Sequence, residues 1–355
     1  MSKTFIDARG LDRRQLLAAL AAAGIAFGTA SMHTAGATET KDDSDSKDTK
    51  AQDQASPFPV TIAHAFGETT IESMPERVVT AGWSVHDVPL ALGVAPVACE
   101  AANFGIKEGE TLLPWSAEAF SELGVDDPVT IDNNDGYDFE AISDAQPDII
   151  LCTYSGVTRE DYEELSKIAP TVPYPETAWS IPWRTNIEMI AEALGKKEEG
   201  DQLIEDLETL MTDKAKEYGV NGQSVAFLNV SATDMGTLYF YIPTDGRGSY
   251  LVDLGYTCPQ SILDIAGDTT DFYIQMSSED VDKLSDVEGL VVYGDEAFKQ
   301  QIMDDALLSL IPAVANGRLA MVDGSTPIAA ACNPTCLSIP ATIDEYLQLI
   351  QGVMA

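Results

Sequence analysis

Residues 198–218 read EEGDQLIEDLETLMTDKAKEY, and this stretch decides how the rest of the chain is organised. It holds no Pro, and its one Gly, Gly200, lies near the start. Leu203, Ile204, Leu207, Leu210, Met211, Ala215 and Tyr218 recur every three or four residues, which places apolar side chains on one helix face. The spacing predicts one amphipathic helix of about 20 residues, roughly 30 Å long at 1.5 Å per residue. On its N-terminal side, Arg77–Gly82, Val94–Cys99 and Asp148–Thr153 are short β-branched or apolar runs that read as strands. Ser84-Val85-His86-Asp87 and Thr158-Arg159-Glu160-Asp161 read as capping boxes that open helices, and Phe139–Asp144 reads as a short helix between strands. On its C-terminal side, Ser224–Val230, Leu238–Ile242, Leu290–Tyr293 and Leu319–Val322 read as strands, with helices at Phe298–Leu310 and Ile339–Met354. Short apolar strands alternating with helices indicate mostly parallel sheets covered on both faces. The fold class is therefore α/β: two Rossmann-like lobes with mostly parallel sheets, joined by one long rigid helix, with a ligand cleft between them. The expected boundaries are 58–185 for the first lobe, 186–220 for the bridging segment and 221–355 for the second lobe.

The N-terminus reads as an address. Residues 1–37 combine basic Lys3, Arg9, Arg13 and Arg14 with an apolar run from Leu16 to Phe27 and small residues at Ala35-Gly36-Ala37, the layout of an export signal. Arg13-Arg14-Gln15-Leu16-Leu17 resembles a twin-arginine signal, which implies the twin-arginine export machinery as a partner. No Cys precedes Cys99, so a lipid-attachment cysteine is not expected. Residues 38–57 have almost no apolar side chain and read as a disordered acidic linker. The expected location is the periplasm or the outer face of the cell membrane.

Composition narrows the partners. The 355 residues carry 58 Asp+Glu against 20 Lys+Arg, a net charge of −38, with 45% hydrophobic residues. Such a body lacks the basic footprint that nucleic acid or an anionic membrane surface requires. Without residues 1–37 the charge moves to −40, so the acidity belongs to the folded lobes. A Gly-x-Ser-x-Gly elbow and a phosphate loop are both missing, which argues against an exported α/β hydrolase and for a protein with no chemistry of its own. An adhesin or scaffold would fit the linker but leave two lobes unexplained.

Several segments together resemble the periplasmic-binding-protein family that feeds iron–siderophore ABC importers, whose lobes share a single bridging helix. They are Ile62-Ala63-His64-Ala65-Phe66-Gly67, Pro75-Glu76-Arg77-Val78-Val79, Leu90-Ala91-Leu92-Gly93-Val94-Ala95-Pro96-Val97, Pro147-Asp148-Ile149-Ile150-Leu151, Leu165–Val172 and Ala193-Leu194-Gly195-Lys196. The resemblance implies capture of a ferric siderophore and delivery to an ABC transporter permease, by a monomer whose only iron is that of its cargo. Haem or a cobalamin on the same fold is the alternative. The resemblance also implies one docking carboxylate per lobe, matched best by Glu122 and by Glu279 in Ser277-Ser278-Glu279-Asp280-Val281.

A cleft for a large, partly aromatic chelate wants aromatic walls and a few cations or donors. Trp83 and Tyr154 each follow a strand, so each is either a rim residue or a strand-end packing residue. Trp179, Trp183 and Arg184 cluster before the bridging region, where Arg184 is either a ligand cation or an ion-paired hinge residue. Tyr239 and Tyr241 share one face of a strand, and Arg247 follows in a Gly-Arg-Gly turn. His86 is expected to be a partly exposed helix residue and His64 a structural one, and no metal site is expected. Five cysteines follow residue 37, an odd number; Cys332-Asn-Pro-Thr-Cys336 is a candidate for a local disulfide. Unless Arg184 and Arg247 focus a positive field, the acidity predicts a neutral or cationic ferric complex such as a hydroxamate over an anionic triscatecholate.

Overall fold

The computed structural model describes residues 57–354. The expected export signal and most of the linker lie outside the described residues. A hairpin of β1 (Val60–His64) and β2 (Gly67–Ile71) leads into alternating elements: β3 (Val78–Thr80), α1 (Asp87–Ala91), β4 (Ala98–Glu100), α2 (Pro114–Glu122), β5 (Thr130–Ile131), α3 (Phe139–Asp144), β6 (Ile149–Cys152), α4 (Arg159–Leu165) and β7 (Thr171–Pro173). The strands assemble in the order β5-β4-β3-β6-β7, every pair parallel. Val78, Val79, Ile149, Ile150 and Leu151 are fully buried, as strands covered on both faces require.

Two helices then cross to the second lobe: α5 (Trp183–Ala193) and α6 (Lys197–Glu217). The predicted long helix is present, 21 residues against the expected 20, with Leu203, Leu207 and Met211 buried. Gly200 packs against Ala191 of α5, so a bare backbone sets how closely the two helices approach. Glu198 and Glu199 lie in its first turn and Lys214 and Lys216 in its last, each sign facing the opposite end of the helix dipole.

The second lobe follows with β8 (Val225–Ser231), β9 (Asp234–Tyr241), α7 (Gly246–Asp253), α8 (Gln260–Ala266), β10 (Tyr273–Ser277), β11 (Gly289–Tyr293), α9 (Glu296–Asp304), α10 (Pro312–Ala315), β12 (Leu319–Val322), α11 (Pro327–Ala331) and α12 (Ser338–Met354). Its order is β10-β9-β8-β11-β12. This sheet is mixed: β9 runs antiparallel to both β8 and β10, because β8 and β9 join through a tight turn. Lys214 of α6 meets Asp344 of α12 at 2.7 Å. One apolar core runs from Val78 and Leu151 through Ile187 and Leu207 to Phe227, Tyr250 and Ile343, and so ties both sheets to the bridging helices.

Three local expectations change. Thr158 and Asp161 form the predicted capping box, but Ser84-Val85-His86-Asp87 does not: Ser84 has φ 51°, and His86 at the N-cap makes no capping bond. Asp87 turns inward instead and is fully buried, as described below. Arg247 lies in the first turn of α7 rather than in an open turn, because Asp245 caps that helix by accepting from the Arg247 backbone N–H. Cys332 and Cys336 are not joined to each other. Cys332 closes α11 in helical conformation with its thiol beside Tyr293 and Tyr346, and the Asn333-Pro334-Thr335 turn carries Cys336 onward into the core.

Candidate functional site

In both sheets the strand order reverses beside a central pair, β3/β6 in the first and β8/β11 in the second. In such sheets the crevice at the carboxyl ends of the reversing strands is where ligands bind. Trp83 follows β3, Tyr154 follows β6 and Tyr293 ends β11, and all three line one cavity of about 350 Å³. Glu100, Asn103, Phe104 and Trp179 complete the first-lobe wall, while Arg247, Phe272, Ala329, Ala330 and Asn333 complete the second. A smaller adjoining crevice shares Trp83, Tyr154 and Asn333 and reaches Trp183 and Asn186.

The aromatic wall is held in place by specific contacts. Trp179 is 41% exposed and has φ 60°, a left-handed conformation that is costly for a bulky residue. Its backbone N–H donates to the Ser155 carbonyl at 3.2 Å, and its ring meets Tyr154 edge-on at 5.5 Å. Gly156 lies beneath the indole; a Cβ there would fall 2.7 Å from Trp179 Nε1. Burial first, and then the Asp245 charge, push the Tyr154 phenol up to about 12, so it stays a neutral hydroxyl. Phe104, on a first-lobe loop, packs edge-on against second-lobe Tyr293 at 5.6 Å and so bridges the lobes.

Among the described residues, Arg247 is the single cation lining the cavity. Its Nε and Nη2 donate to the two carboxylate oxygens of Asp245, both at 2.7 Å, and its guanidinium lies 3.6 Å from the Tyr241 ring centre. Burial pulls its pKa down, but the Asp245 hydrogen bonds and charge outweigh this and raise it. The guanidinium is thus permanently charged, oriented by Tyr241 and largely neutralised by a carboxylate with no solvent exposure.

The predicted residues divide accordingly. Trp83, Tyr154, Trp179 and Arg247 come together around the cavity, and Tyr241 supports Arg247 from behind. Arg184 is committed elsewhere: it pairs with Glu208 of α6 at 2.6 Å and with Asp253 of α7 at 3.0 Å, beneath the cavity. Trp183 is buried, stacks under Arg184 at 4.2 Å and donates from Nε1 to Asp253 at 2.9 Å. Both join α5 to α7 through Asp253, and Trp183 also lines the smaller crevice. Tyr239 packs edge-on against Tyr273 across the β9–β10 ladder, away from the cavity lining. Glu122 and Glu279 are both exposed, at the end of α2 and in the 3₁₀ turn after β10.

A second constellation ties the lobes together behind the cavity. The Asp87 carboxylate accepts from Ser116 Oγ at 2.6 Å, from Trp115 Nε1 at 3.1 Å and from Thr335 Oγ1 of the second lobe. Asp87 has no solvent exposure, and neighbouring His86, expected to be partly exposed, is 2% exposed; neither ring nitrogen is hydrogen-bonded, and Nε2 lies 3.7 Å from Asp87 Oδ1. His64 has the expected structural role, bonded to Thr69 at 2.9 Å. Among the described residues no group of three His, Cys, Asp or Glu is placed to hold a metal ion.

Glu100, Asn103, Phe104, Phe272, Tyr293 and Asn333 were not foreseen. Glu100 and Tyr293 end strands, so the strand-end rule that found Trp83 and Tyr154 would have found them too. Phe104, Phe272 and Asn333 lie on irregular connections whose sequence carries no such signal.

The chain is 23% identical over 279 residues to the probable siderophore-binding lipoprotein YfiY of Bacillus subtilis strain 168, covering 74% of this chain and 80% of that one. It is 24% identical over 281 residues to the ferric enterobactin-binding periplasmic protein FepB of Escherichia coli O6:H1 strain CFT073, covering 74% of this chain and 83% of the other. The crystal structure of PiaA from Streptococcus pneumoniae TIGR4 in complex with ferrichrome superposes with a TM-score of 0.80 at 38% identity, over 83% of this chain and 98% of that one. Residues 78–326 match the family described as periplasmic binding protein. With more than half of its length matched, the chain belongs to the periplasmic binding protein family.

Proposed function

We propose that this protein captures a ferric siderophore outside the cytoplasm and delivers it to the permease of an ABC importer. The observation that carries the proposal is the interlobe cavity, with Trp83 and Tyr154 at the reversal point of one sheet facing Arg247 and Tyr293 from the other. Flat aromatic walls suit the apolar rim of a chelate, and an oriented guanidinium suits its metal-bound oxygens. PiaA, 38% identical, binds ferrichrome in its crystal structure, and YfiY is named as a probable siderophore-binding lipoprotein. The charge pattern favours a neutral or cationic complex of the hydroxamate type. Arg184 is tied up between helices and Arg247 is matched by Asp245, so neither offsets the field of a chain that carries −38. FepB is named for ferric enterobactin, which makes an anionic catecholate the chief rival cargo.

The remaining parts of the reading follow from exposure and from the N-terminal sequence. Glu122 and Glu279 are free to meet permease arginines, one from each lobe. The twin-arginine-like segment would export the chain through the twin-arginine machinery, with no lipid-attachment cysteine, and the protein works as a monomer that carries out no chemistry on its cargo.

Titration of the purified protein with ferrichrome (a neutral trihydroxamate), ferric enterobactin (an anionic triscatecholate), haem and cobalamin, read by tryptophan quenching and melting temperature, tests this. Ferrichrome should quench and raise the melting temperature; at 100 times Kd the stabilisation is about 2.7 kcal/mol. Failure of every ferric chelate to do either would overturn the proposal.

A further inference from the structure

The cavity holds one carboxylate that the reading above does not use. Glu100 ends β4 and lines the cavity. Its Oε2 accepts from Asn133 Nδ2 at 3.1 Å, and the groups that act on its carboxyl are Asn133 and Asp132, with no cation among them. Arg247 does not offset it, because both Asp245 oxygens already match the guanidinium. The lining together with Asp245 therefore sums to one net negative charge, contributed by Glu100, inside walls built from Trp83, Phe104 and Trp179. An incompletely paired carboxylate in such a place costs free energy unless a ligand group satisfies it.

From this juxtaposition we propose that Glu100 reads a protonated primary amine on the bound ferric hydroxamate, so that the cavity selects an amine-bearing complex over the same complex with that amine acetylated. The inference rests on the proposed function and names a specificity-determining residue within it. A charge-assisted N⁺–H···O⁻ bond is roughly twice as strong as a neutral one, and the aromatic faces around it attract the same cation. A metal ion does not explain the group, because among the described residues no three His, Cys, Asp or Glu side chains come together to hold one. Burial first, and then the nearby Asp132, raise the Glu100 pKa above the usual carboxylate value. Its other titratable neighbours are Cys99 on its own strand, Cys152 on β6 and Tyr137 before α3; burial raises the pKa of each, so all three stay neutral in the working range.

The test compares ferric desferrioxamine B, which ends in a primary ammonium, with its N-acetylated form, and uses ferrichrome as a ligand without an amine. The wild-type chain should bind the ammonium form about tenfold more tightly than the acetylated form at neutral pH. Glu100→Gln, checked for native circular dichroism, should bring that ratio to within about twofold. In the wild type alone, acidification through the Glu100 titration should erase the same preference, a readout that does not depend on the variant folding. A ratio near one in the wild type while ferrichrome still binds, or a ratio that survives Glu100→Gln, overturns this inference and leaves the proposed function standing. If none of the three complexes binds, the hydroxamate assignment within the proposed function fails and the inference falls with it.

Discussion

Replacing Asp87 by Ala removes the acceptor at which three donors from two lobes converge. Ser116 Oγ and Trp115 Nε1 reach it from α2 of the same lobe, and Thr335 Oγ1 reaches it from the turn before α12 in the other. Hydrogen bonds to a charged group contribute about 1.5–3 kcal/mol each, but three that share one carboxylate are not additive. The two hydroxyls can turn towards other acceptors; the indole N–H cannot turn independently of its ring. Leaving a buried donor such as the Trp115 N–H without an acceptor costs about 1–3 kcal/mol, a large part of the 5–15 kcal/mol that holds a typical folded protein together. Thr335→Val deletes only the bond between lobes and should cost about 1 kcal/mol. Urea unfolding followed by circular dichroism and tryptophan fluorescence reads both, with the midpoint as the robust quantity if the lobes unfold in separate steps. If Asp87→Ala shifts stability by less than about 1 kcal/mol, or if Thr335→Val destabilises more than Asp87→Ala, the latch as described is wrong.

Three further outcomes follow from the site. Arg247→Met should weaken ferric-hydroxamate binding about 10- to 100-fold in a titration, and it also strands the buried Asp245; adding Asp245→Asn should recover the melting temperature but not the affinity. Gly156→Ala should push the Trp179 indole out of place, because the new methyl lies 2.7 Å from its Nε1, and the ligand-induced quench of Trp179 should shrink while the overall circular dichroism is retained. His64 and His86 both have pKa values held below 6.5, by burial first in each case, so the unfolded chain takes up protons that the folded chain does not. The stability these groups contribute is present above pH 6.5 and is lost as pH falls towards the folded values. His86→Leu should therefore flatten the urea midpoint between pH 7.5 and 5, by at most about 1.4 kcal/mol per pH unit, and an unchanged slope would contradict the burial argument.

The architecture was legible because its signals are periodic. The 3.6-residue spacing of Leu203, Leu207 and Met211 sets the bridging helix, and the fully apolar Ile149–Cys152 marks a strand covered on both faces. Trp83 and Tyr154 could be placed at the cavity because each directly follows such a strand. What escaped depends on contacts between distant parts of the chain. Asp87 has the spacing of a capping box with Ser84, yet Thr335, 248 residues away, is what draws its carboxylate inward. Arg184 and Arg247 look alike in sequence, and only the positions of Asp253, Glu208 and Asp245 separate a tie between helices from a cavity cation. The mixed direction of the second sheet escaped for another reason: the Val230–Asp234 turn lacks an Asn-Gly or Asp-Gly hairpin signal. Glu100 was reachable, since the predicted strand stopped one residue short of it.

The central claim is that each chain holds one ferric siderophore between its lobes. Its most direct measurement is the iron content, visible spectrum and mass of whatever co-purifies with the protein from iron-starved cells that make it. About one ferric ion per chain is expected, carried by a neutral or cationic hydroxamate chelate. Haem or a cobalamin in its place would contradict the claim, and an anionic ferric triscatecholate would contradict the charge argument for a hydroxamate.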